Sequence, residues 1–262
     1  MQSDLKIQSE EISPKNKLLE AINVRAGYQT RTILSDLNFT IYEGEIYALL
    51  GANGSGKTTT LSLFLGFIQP FSGAVFVNHI NVATDRSAAL QQIAYIPENV
   101  ALYDHLSAYE NIDYFLKLSG QKSDKHTITQ ALLRAGLQKD AINQRTSGFS
   151  KGMRQKVAIA LAVTRKVPIL LLDEPTSGLD PHASNEFNQL LHMLREQKVT
   201  ILMVTHDLFG ATKIADRIGF IAQGKLVEEI TALGNSEFDI KQLEQPFDIK
   251  KLYQRYVSWS NS

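Results

Sequence analysis

Short apolar segments separated by turn residues predict that this protein is built on β-strands. Residues 45–50 and 168–173 are nearly continuous apolar runs, as expected of parallel strands that are covered on both faces. The remaining strands are predicted at 18–24, 36–42, 73–77, 93–96 and 199–204, with a hairpin at 217–229 around Gln223-Gly224. The pattern therefore predicts an α/β domain.

Helical spacing replaces the strand pattern between residues 98 and 149. Helices are predicted at 107–118 and 127–135, and a glycine follows each of them as a stop signal. We therefore predict a helical lobe at about 98–149, inserted into the sheet domain. Two further helices are predicted to start at Ser150, a candidate N-cap, and at Pro181.

Domain boundaries are placed where the pattern weakens. Residues 1–17 form a predicted polar tail, residues 18–230 the main domain, and residues 231–262 a C-terminal tail. This last segment carries a predicted amphipathic helix behind Pro246, with Ile249, Leu252, Tyr256 and Trp259 on one stripe. Docking of the stripe on its own domain or on a partner protein is favoured. Binding to a membrane surface is the lesser alternative, because the opposite face is not strongly basic.

The segment between the strand at 45–50 and the helix that follows it matches the phosphate-binding pattern G-x-x-x-x-G-K-[ST]. Its glycines let backbone N–H groups approach phosphates, and the following helix directs its positive end at the same anion. Lys57 is predicted to reach the β- and γ-phosphates of ATP, and the Thr58 hydroxyl to bind Mg²⁺. The predicted nucleotide-binding set is Gly51, Ala52, Asn53, Gly54, Ser55, Gly56, Lys57, Thr58 and Thr59. The alternative, a glycine-rich turn that binds nothing, is disfavoured by the flanking strand and helix.

The composition excludes several classes of function. Lys+Arg 27 balances Asp+Glu 27, so no basic field indicates a nucleic-acid partner. The absence of cysteine excludes disulfides, zinc–thiolate sites and thiol catalysis. The first thirty residues lack the apolar core of a signal peptide, and no run of ~18 apolar residues occurs. We therefore expect a cytoplasmic protein that does not span a membrane.

An acidic pair, Asp173-Glu174, ends the buried strand at 168–173. Carboxylates at the carboxyl ends of parallel strands are where α/β sheets contact ligands. Asp173 is predicted to hold Mg²⁺, and Glu174 to polarise the water that attacks the γ-phosphate. A solvated pair that caps the strand would be the better interpretation without the phosphate-binding segment upstream.

Several further segments occur in one order with these. They are Tyr28 ahead of the phosphate-binding segment, Phe149-Ser150-Lys151-Gly152-Met153, Ser177-Gly178-Leu179-Asp180 and Thr205-His206-Asp207. With this set the chain resembles the ATP-binding subunits of ATP-binding cassette (ABC) transporters, over roughly residues 18–230. Among them it is most similar to the subunits that serve ABC-2-type permeases, many of which are exporters. The resemblance implies a P-loop NTPase fold with a mixed central sheet, an N-terminal antiparallel β subdomain and the inserted helical lobe.

The resemblance also assigns roles to single residues. Tyr28 would stack on adenine, and His206 would bind the γ-phosphate and orient the water near Glu174. Ser150 and Gly152, at a helix start, would cover the γ-phosphate held by a second cassette, and Asp180 would lie in the same interface. This implies an isologous dimer with two ATP molecules between its subunits. Considered singly, Ser150 is a plain N-cap, His206 a core histidine and Tyr28 an ordinary aromatic at a strand end.

Two places depart from the family pattern. Glu98 occupies the position of a glutamine, which puts a second carboxylate near Mg²⁺ and the attacking water. Lys151 and Met153 replace glycine and glutamine of the usual Leu-Ser-Gly-Gly-Gln signature. Since Ser150 and Gly152 remain, contact with the γ-phosphate is expected to survive. Both departures are familiar in ABC-2-type subunits.

The predicted function is ATP hydrolysis that powers a separate membrane permease, with the protein held at the inner face of the cell membrane through that permease. The predicted partners are the permease, a second identical or similar cassette, and no nucleic acid. Leu102, Tyr103 and Leu106 are candidate contacts for the permease, and packing within the lobe is an equally good interpretation. One alternative is a soluble ABC ATPase acting on DNA or ribosomes. It lacks support because the chain has a single cassette and no heptad repeat for a coiled coil. The other alternative is a regulatory module that binds nucleotide without turnover.

Overall fold

A computed structural model describes residues 15–232 and 247–260. The strands are β1 Lys17–Tyr28, β2 Arg31–Tyr42, β3 Ile46–Leu50, β4 Ser72–Val77, β5 Ile80–Asn81, β6 Ile93–Ile96, β7 Ile169–Asp173, β8 Thr200–Thr205, β9 Arg217–Ala222 and β10 Lys225–Thr231. The helices are α1 Lys57–Phe64, α2 Arg86–Gln91, α3 Ala108–Leu118, α4 Lys125–Arg134, α5 Lys151–Arg165, α6 Pro181–Glu196, α7 Leu208–Thr212 and α8 Ile249–Ser260. The predicted tail at 1–17 lies outside the described residues up to position 14, and so does Pro246.

The central sheet has six strands in the order β10-β9-β3-β8-β7-β6. The neighbours from β9 to β6 pair in parallel, and β10 is antiparallel to β9. Parallel strands that are covered on both faces require apolar side chains on both, which explains the uninterrupted runs in β3, β7 and β8. Because β3, β6, β7 and β8 are parallel, the segments that follow them emerge at one edge.

A second sheet, in the order β2-β1-β4-β5, is antiparallel throughout. Its apolar face and helix α1 cover one face of the central sheet, where Tyr47 and Leu49 of β3 are fully buried. Alternate residues of the same strand, Ile46, Ala48 and Leu50, belong to the core on the opposite face, under the helices. The mixed central sheet and the N-terminal antiparallel subdomain are therefore as predicted.

The helical lobe contains α3 and α4, and α5 packs against both. Helix α3 begins with a capping box in which Ser107 and Glu110 bind each other's backbone N–H groups. The apolar faces of these helices continue into the core beneath the central sheet. The lobe is thus fixed to the sheet through α5, whose first turn holds the predicted signature residues.

Helix α8 packs on α7 and β9 of its own domain. Leu252 is 3% exposed, and Tyr256 and Trp259 pack against the core. Of the two docking partners left open by the sequence, its own domain and a partner protein, these three members of the stripe dock on their own domain. The side chain of Ile249 lies outside the described residues.

Some elements differ from the predicted ones. β1 continues to Tyr28, beyond the predicted end at residue 24, and β2 already starts at Arg31, before the predicted start at residue 36. Register shifts let the two strands stay paired through these polar stretches. β1 begins one residue before the predicted domain boundary, and β10 ends one residue after it. The short elements β5, α2 and α7 were not predicted, since they have too few residues for a periodic pattern.

Candidate functional site

The predicted catalytic segments meet at the carboxyl edge of the central sheet. Leu50 of β3 lies opposite Thr205 of β8, and Asp173 of β7 lies opposite Val204. Ile96 of β6 lies opposite Leu172. The phosphate loop (residues 51–58), Glu98, Asp173-Glu174 and Thr205-His206 therefore follow neighbouring strands at one edge, as ligand sites of α/β sheets do.

The phosphate loop has a backbone that only glycine accommodates at two positions. A Cβ on Gly51 would lie 2.4 Å from Ser55 Oγ and 2.5 Å from the carbonyl oxygen of Ile221. Gly56 has φ +114°, a conformation that L side chains rarely adopt. Ser55 Oγ is buried, and no hydrogen bond to it is formed within the described protein. The loop thus presents a polar cradle against the start of α1, as an anion-binding site requires.

Lys57 is 7% exposed and lies inside this cradle. Its ammonium donates to the carbonyl oxygens of Gly51, at 2.7 Å, and Ala52, at 3.1 Å. It lies 3.9 Å from Glu174 Oε1. Burial lowers the pKa of Lys57, and the Glu174 and Asp173 carboxylates oppose this shift. A desolvated ammonium held among acceptors is a strong site for the oxygens of a triphosphate.

Asp173 is half-buried at the end of β7 and accepts a hydrogen bond from the Tyr95 hydroxyl at 3.3 Å. Burial is the main cause of a raised Asp173 pKa, and the nearby Glu174 and Glu98 carboxylates add to it. Burial and Asp173 raise the pKa of Tyr95 to about 12, so this phenol stays a donor. The Asp173 carboxylate, which lies near Glu174 and Glu98, is therefore at a place where a cation would be stabilised.

Glu174 is bound by the segment that follows β8. Its Oε2 accepts from the Thr205 hydroxyl at 3.0 Å and from the His206 backbone N–H at 3.3 Å, and it lies 2.9 Å from His206 Nδ1. Glu174 has φ +44°, which is uncommon for a residue other than glycine. Strained backbone of this kind persists where surrounding contacts over-determine it, and it clusters at functional sites. The structure thus brings together the two predicted catalytic residues.

Glu98 makes different contacts from those predicted for a metal ligand. Its Oε1 accepts from the Ser177 hydroxyl at 2.9 Å and lies 3.5 Å from Lys151 Nζ. The carboxylate is 45% exposed. The structure therefore places Glu98 between the start of α5 and the segment that follows Glu174.

The remaining signature residues lie away from the phosphate loop. Ser150 caps α5, and its hydroxyl oxygen accepts from the Met153 N–H at 3.3 Å. Asp180 caps α6 and accepts from the Ala183 N–H at 2.9 Å. Together with Gly152 and Met153, they line a separate cavity of about 370 Å³. The phosphate loop borders another cavity.

Tyr28 is the last residue of β1 and is 48% exposed. A half-exposed aromatic ring at a strand end is available to stack on a base. No contact in the described part of the chain assigns it to the site.

Mg²⁺ fits the donors at this edge. No group of three or more histidine, cysteine or acidic side chains within residues 15–232 and 247–260 is arranged to hold a metal ion by itself. Mg²⁺ is commonly bound by one or two carboxylates together with substrate phosphates, so it does not require a full set of protein ligands. Asp173, with its raised pKa, and Thr58, exposed at the start of α1, are residues of that kind.

Four residues that contact the site were given no role from the sequence. Thr205 binds Glu174, Tyr95 binds Asp173, Ser177 binds Glu98, and Tyr256 lies near His206. Thr205 and Ser177 stand in the quoted motifs, so their hydroxyl groups were available as a signal. Tyr95 and Tyr256 carry no such signal, because their positions depend on strand pairing and on the docking of α8.

Comparison with known proteins agrees with this geometry. The model of the family described as "ABC transporter" matches residues 34–177. The chain belongs to this family. The matched residues include both the phosphate loop and Asp173-Glu174, which lie at the sheet edge described above. As a member of this family, the cassette is an ATP-binding protein with ATPase activity.

Two relatives and one solved structure give the range of similarity. The bacitracin transport ATP-binding protein of Bacillus licheniformis is 33% identical over 247 residues, which cover 94% of this cassette and 75% of that protein. The linearmycin resistance ATP-binding protein of Bacillus subtilis is 32% identical over 212 residues, which cover 80% of this cassette and 68% of that protein. A solved structure of a dimeric ATP-binding cassette in a post-hydrolysis state, bound to ADP and phosphate, matches with a TM-score of 0.72 at 28% identity. The match covers 82% of this cassette and 98% of that chain.

The search for membrane-spanning segments concerns the described ranges alone. Within 15–232 and 247–260, the cassette contains no helix with the length and apolar character needed to cross a membrane.

Proposed function

We propose that this cassette hydrolyses ATP as a dimer and thereby powers a separate membrane permease. The observation that carries the proposal is the arrangement around Glu174, whose two carboxylate oxygens contact the Thr205-His206 segment and Lys57. A general base must be held within hydrogen-bond reach of the water it activates, and these contacts hold Glu174 at the sheet edge where the phosphate loop begins.

Roles follow from the same geometry. Lys57 would bind the β- and γ-phosphates, Asp173 and Thr58 would hold Mg²⁺, and Glu174 would accept the proton of the attacking water. His206, already on Glu174, would orient that water and bind the γ-phosphate. Mg²⁺ would neutralise charge on the triphosphate, which is what it supplies in phosphoryl transfer. Tyr28 would stack on the adenine ring.

The second half of each site would come from another cassette. Ser150 and Gly152 present a helix start with hydroxyl and N–H groups, but they line a different cavity from the phosphate loop. An isologous dimer would set the signature segment of one subunit over the phosphate loop of the other. The dimeric form of the solved structure supports this arrangement.

The helical lobe would contact the permease. Tyr103 is 42% exposed and Tyr114 41%, and their rings pack edge to face at 4.9 Å beside Phe115. Leu102 is partly buried and packs against the core. An exposed aromatic cluster on a lobe next to Glu98 suits an apolar helix of a membrane partner. The protein would then lie at the inner face of the membrane.

The names of the relatives favour export. One is a bacitracin transport protein and the other a linearmycin resistance protein. The test of the transport role is purification of the full chain from solubilised membranes. A membrane protein that co-purifies with the parent and is lost from a Tyr103→Ser/Tyr114→Ser variant supports the role. Recovery of this chain without any membrane protein would contradict it.

A further inference from the structure

Helix α8 packs against the edge of the sheet that carries the nucleotide site. The Trp259 ring packs on Phe220 of β9 with centroids 4.9 Å apart, and the Tyr253 ring stacks on Phe209 of α7 at 6.4 Å. Arg255 forms an ion pair with Glu228 of β10. Helix α8 thus contacts three elements, α7, β9 and β10.

Docking at this place brings α8 to the phosphate loop. A cavity of about 240 Å³ is lined by residues 50–55, by Phe220 and by Tyr256 and Trp259 of α8. The aromatic stripe of α8 is therefore a wall of the space next to the loop.

One polar group of α8 reaches the catalytic segment. The Tyr256 hydroxyl donates to the carbonyl oxygen of His206 in a long hydrogen bond of 3.5 Å. The N–H and the ring of the same His206 contact Glu174 Oε2. Burial, and secondarily the charge of Glu174, raise the pKa of Tyr256, so its hydroxyl remains a donor. The His206 main chain is therefore held between Glu174 and Tyr256.

We propose that Tyr256 is a positioning residue for ATP hydrolysis. Helix α8 holds the Tyr256 hydroxyl in a hydrogen bond to the His206 carbonyl oxygen, and this bond keeps the His206 N–H and ring in contact with Glu174. This rests on the proposed function, in which Glu174 is the general base and His206 orients the attacking water. Tyr256 acts through His206 and has no contact with the reacting atoms. Hydrogen bonds of catalytic segments are often long without substrate and shorten in the reacting complex.

The test compares two variants of the full chain that make the same chemical change on the same helix. Tyr256→Phe removes the hydroxyl that faces His206 and keeps the ring against Phe220. Tyr253→Phe removes a hydroxyl from a ring that is 52% exposed and stacked on Phe209, so it is the matched control. Steady-state phosphate release at varied Mg·ATP gives kcat and KM for each. Trp259 is the single tryptophan of the chain, so its emission maximum reports whether α8 stays docked.

We expect Tyr256→Phe to lower kcat about threefold to tenfold, the usual effect of one neutral hydrogen bond, with KM and the Trp259 emission of the parent. Tyr253→Phe should match the parent. Equal kcat for the two variants would overturn the proposal. So would a fall in kcat that comes with a shifted Trp259 emission, since this would indicate loss of packing, or a rise in KM alone, which would indicate a role in binding.

Glu174→Gln separates this inference from the function on which it rests. If the parent hydrolyses ATP and Glu174→Gln does not, the assignment of Glu174 as general base stands, and the Tyr256→Phe result then tests the role of Tyr256 alone. If Glu174→Gln retains the parent rate, the assigned base is wrong. The role of Tyr256 is then overturned with it.

Discussion

Lys151 and Glu98 form an ion pair within one cassette, with 3.5 Å between Nζ and Oε1. Both are departures from the usual family pattern, and the structure shows that they contact each other. The Ser177 hydroxyl donates to the same oxygen at 2.9 Å. The first turn of α5, the segment after β6 and the segment after Glu174 are thereby joined. Because Glu98 is 45% exposed, solvent screens the pair, and its contribution to stability is at most about 1 kcal/mol.

These contacts predict unequal effects of removing the two carboxylates. Glu174→Gln should lower ATP turnover by at least ~10²-fold, because it removes the general base. Glu98→Gln should lower it by less than about tenfold, because an amide oxygen still accepts from Ser177 and Lys151. Steady-state phosphate release at saturating Mg·ATP measures both. Equal damage from the two variants would show that the base is wrongly assigned or shared between Glu98 and Glu174.

Lys57→Ala should remove nearly all ATP affinity, at least about a hundredfold. The reason is that a buried triphosphate loses its main charge partner. Equilibrium binding of a fluorescent ATP analogue measures the loss. Lys122→Ala, which replaces an exposed lysine of the helical lobe, is the control and should bind as the parent does. Unchanged affinity of Lys57→Ala would contradict the phosphate-loop assignment.

Glu174→Gln should also accumulate as a dimer at saturating Mg·ATP, because binding continues while turnover stops. Size-exclusion chromatography with light scattering measures the mass. Adding Ser150→Arg to this variant should restore the monomer, since a bulky cation would fill the signature face that closes on the partner. A Glu174→Gln protein that stays monomeric would contradict closure by the cassettes alone.

Burial of Lys57 predicts a pH dependence of stability without nucleotide. Its folded pKa is lowered below the ordinary lysine value of 10.5, because burial disfavours the ammonium. Between the lowered value and 10.5 the unfolded chain binds more protons than the folded one, so the free energy of unfolding rises with pH. Below that window the cost of burying the charge is fully present.

Lys57→Met removes this titration, so the stability of the parent relative to Lys57→Met should rise in urea unfolding as the pH is raised toward 10.5. Lys122→Met, with its exposed lysine, is the control for general alkaline effects. A constant difference between the parent and Lys57→Met across this range would contradict the expected titration of Lys57.

Several parts of this protein could be predicted from local sequence pattern. The apolar runs of β3, β7 and β8 follow from burial on both faces, and a strand, a glycine loop and a helix in succession define the phosphate loop. Asp173-Glu174 could be assigned because it ends such a strand. The ordered motifs predicted the family, which the comparison confirmed.

Local pattern could not predict which side chains meet, because those contacts depend on strand pairing and helix docking. Strand pairing in the central sheet brings Glu174 to Thr205 and His206, and Tyr95 to Asp173. The docking of α5 brings Lys151 to Glu98, which nothing in their separate motifs indicates. The stripe of α8 was visible in the sequence, but a stripe specifies that a face is buried and leaves its partner unspecified. Packing on Phe220 selected that partner, and thereby placed Tyr256 beside His206.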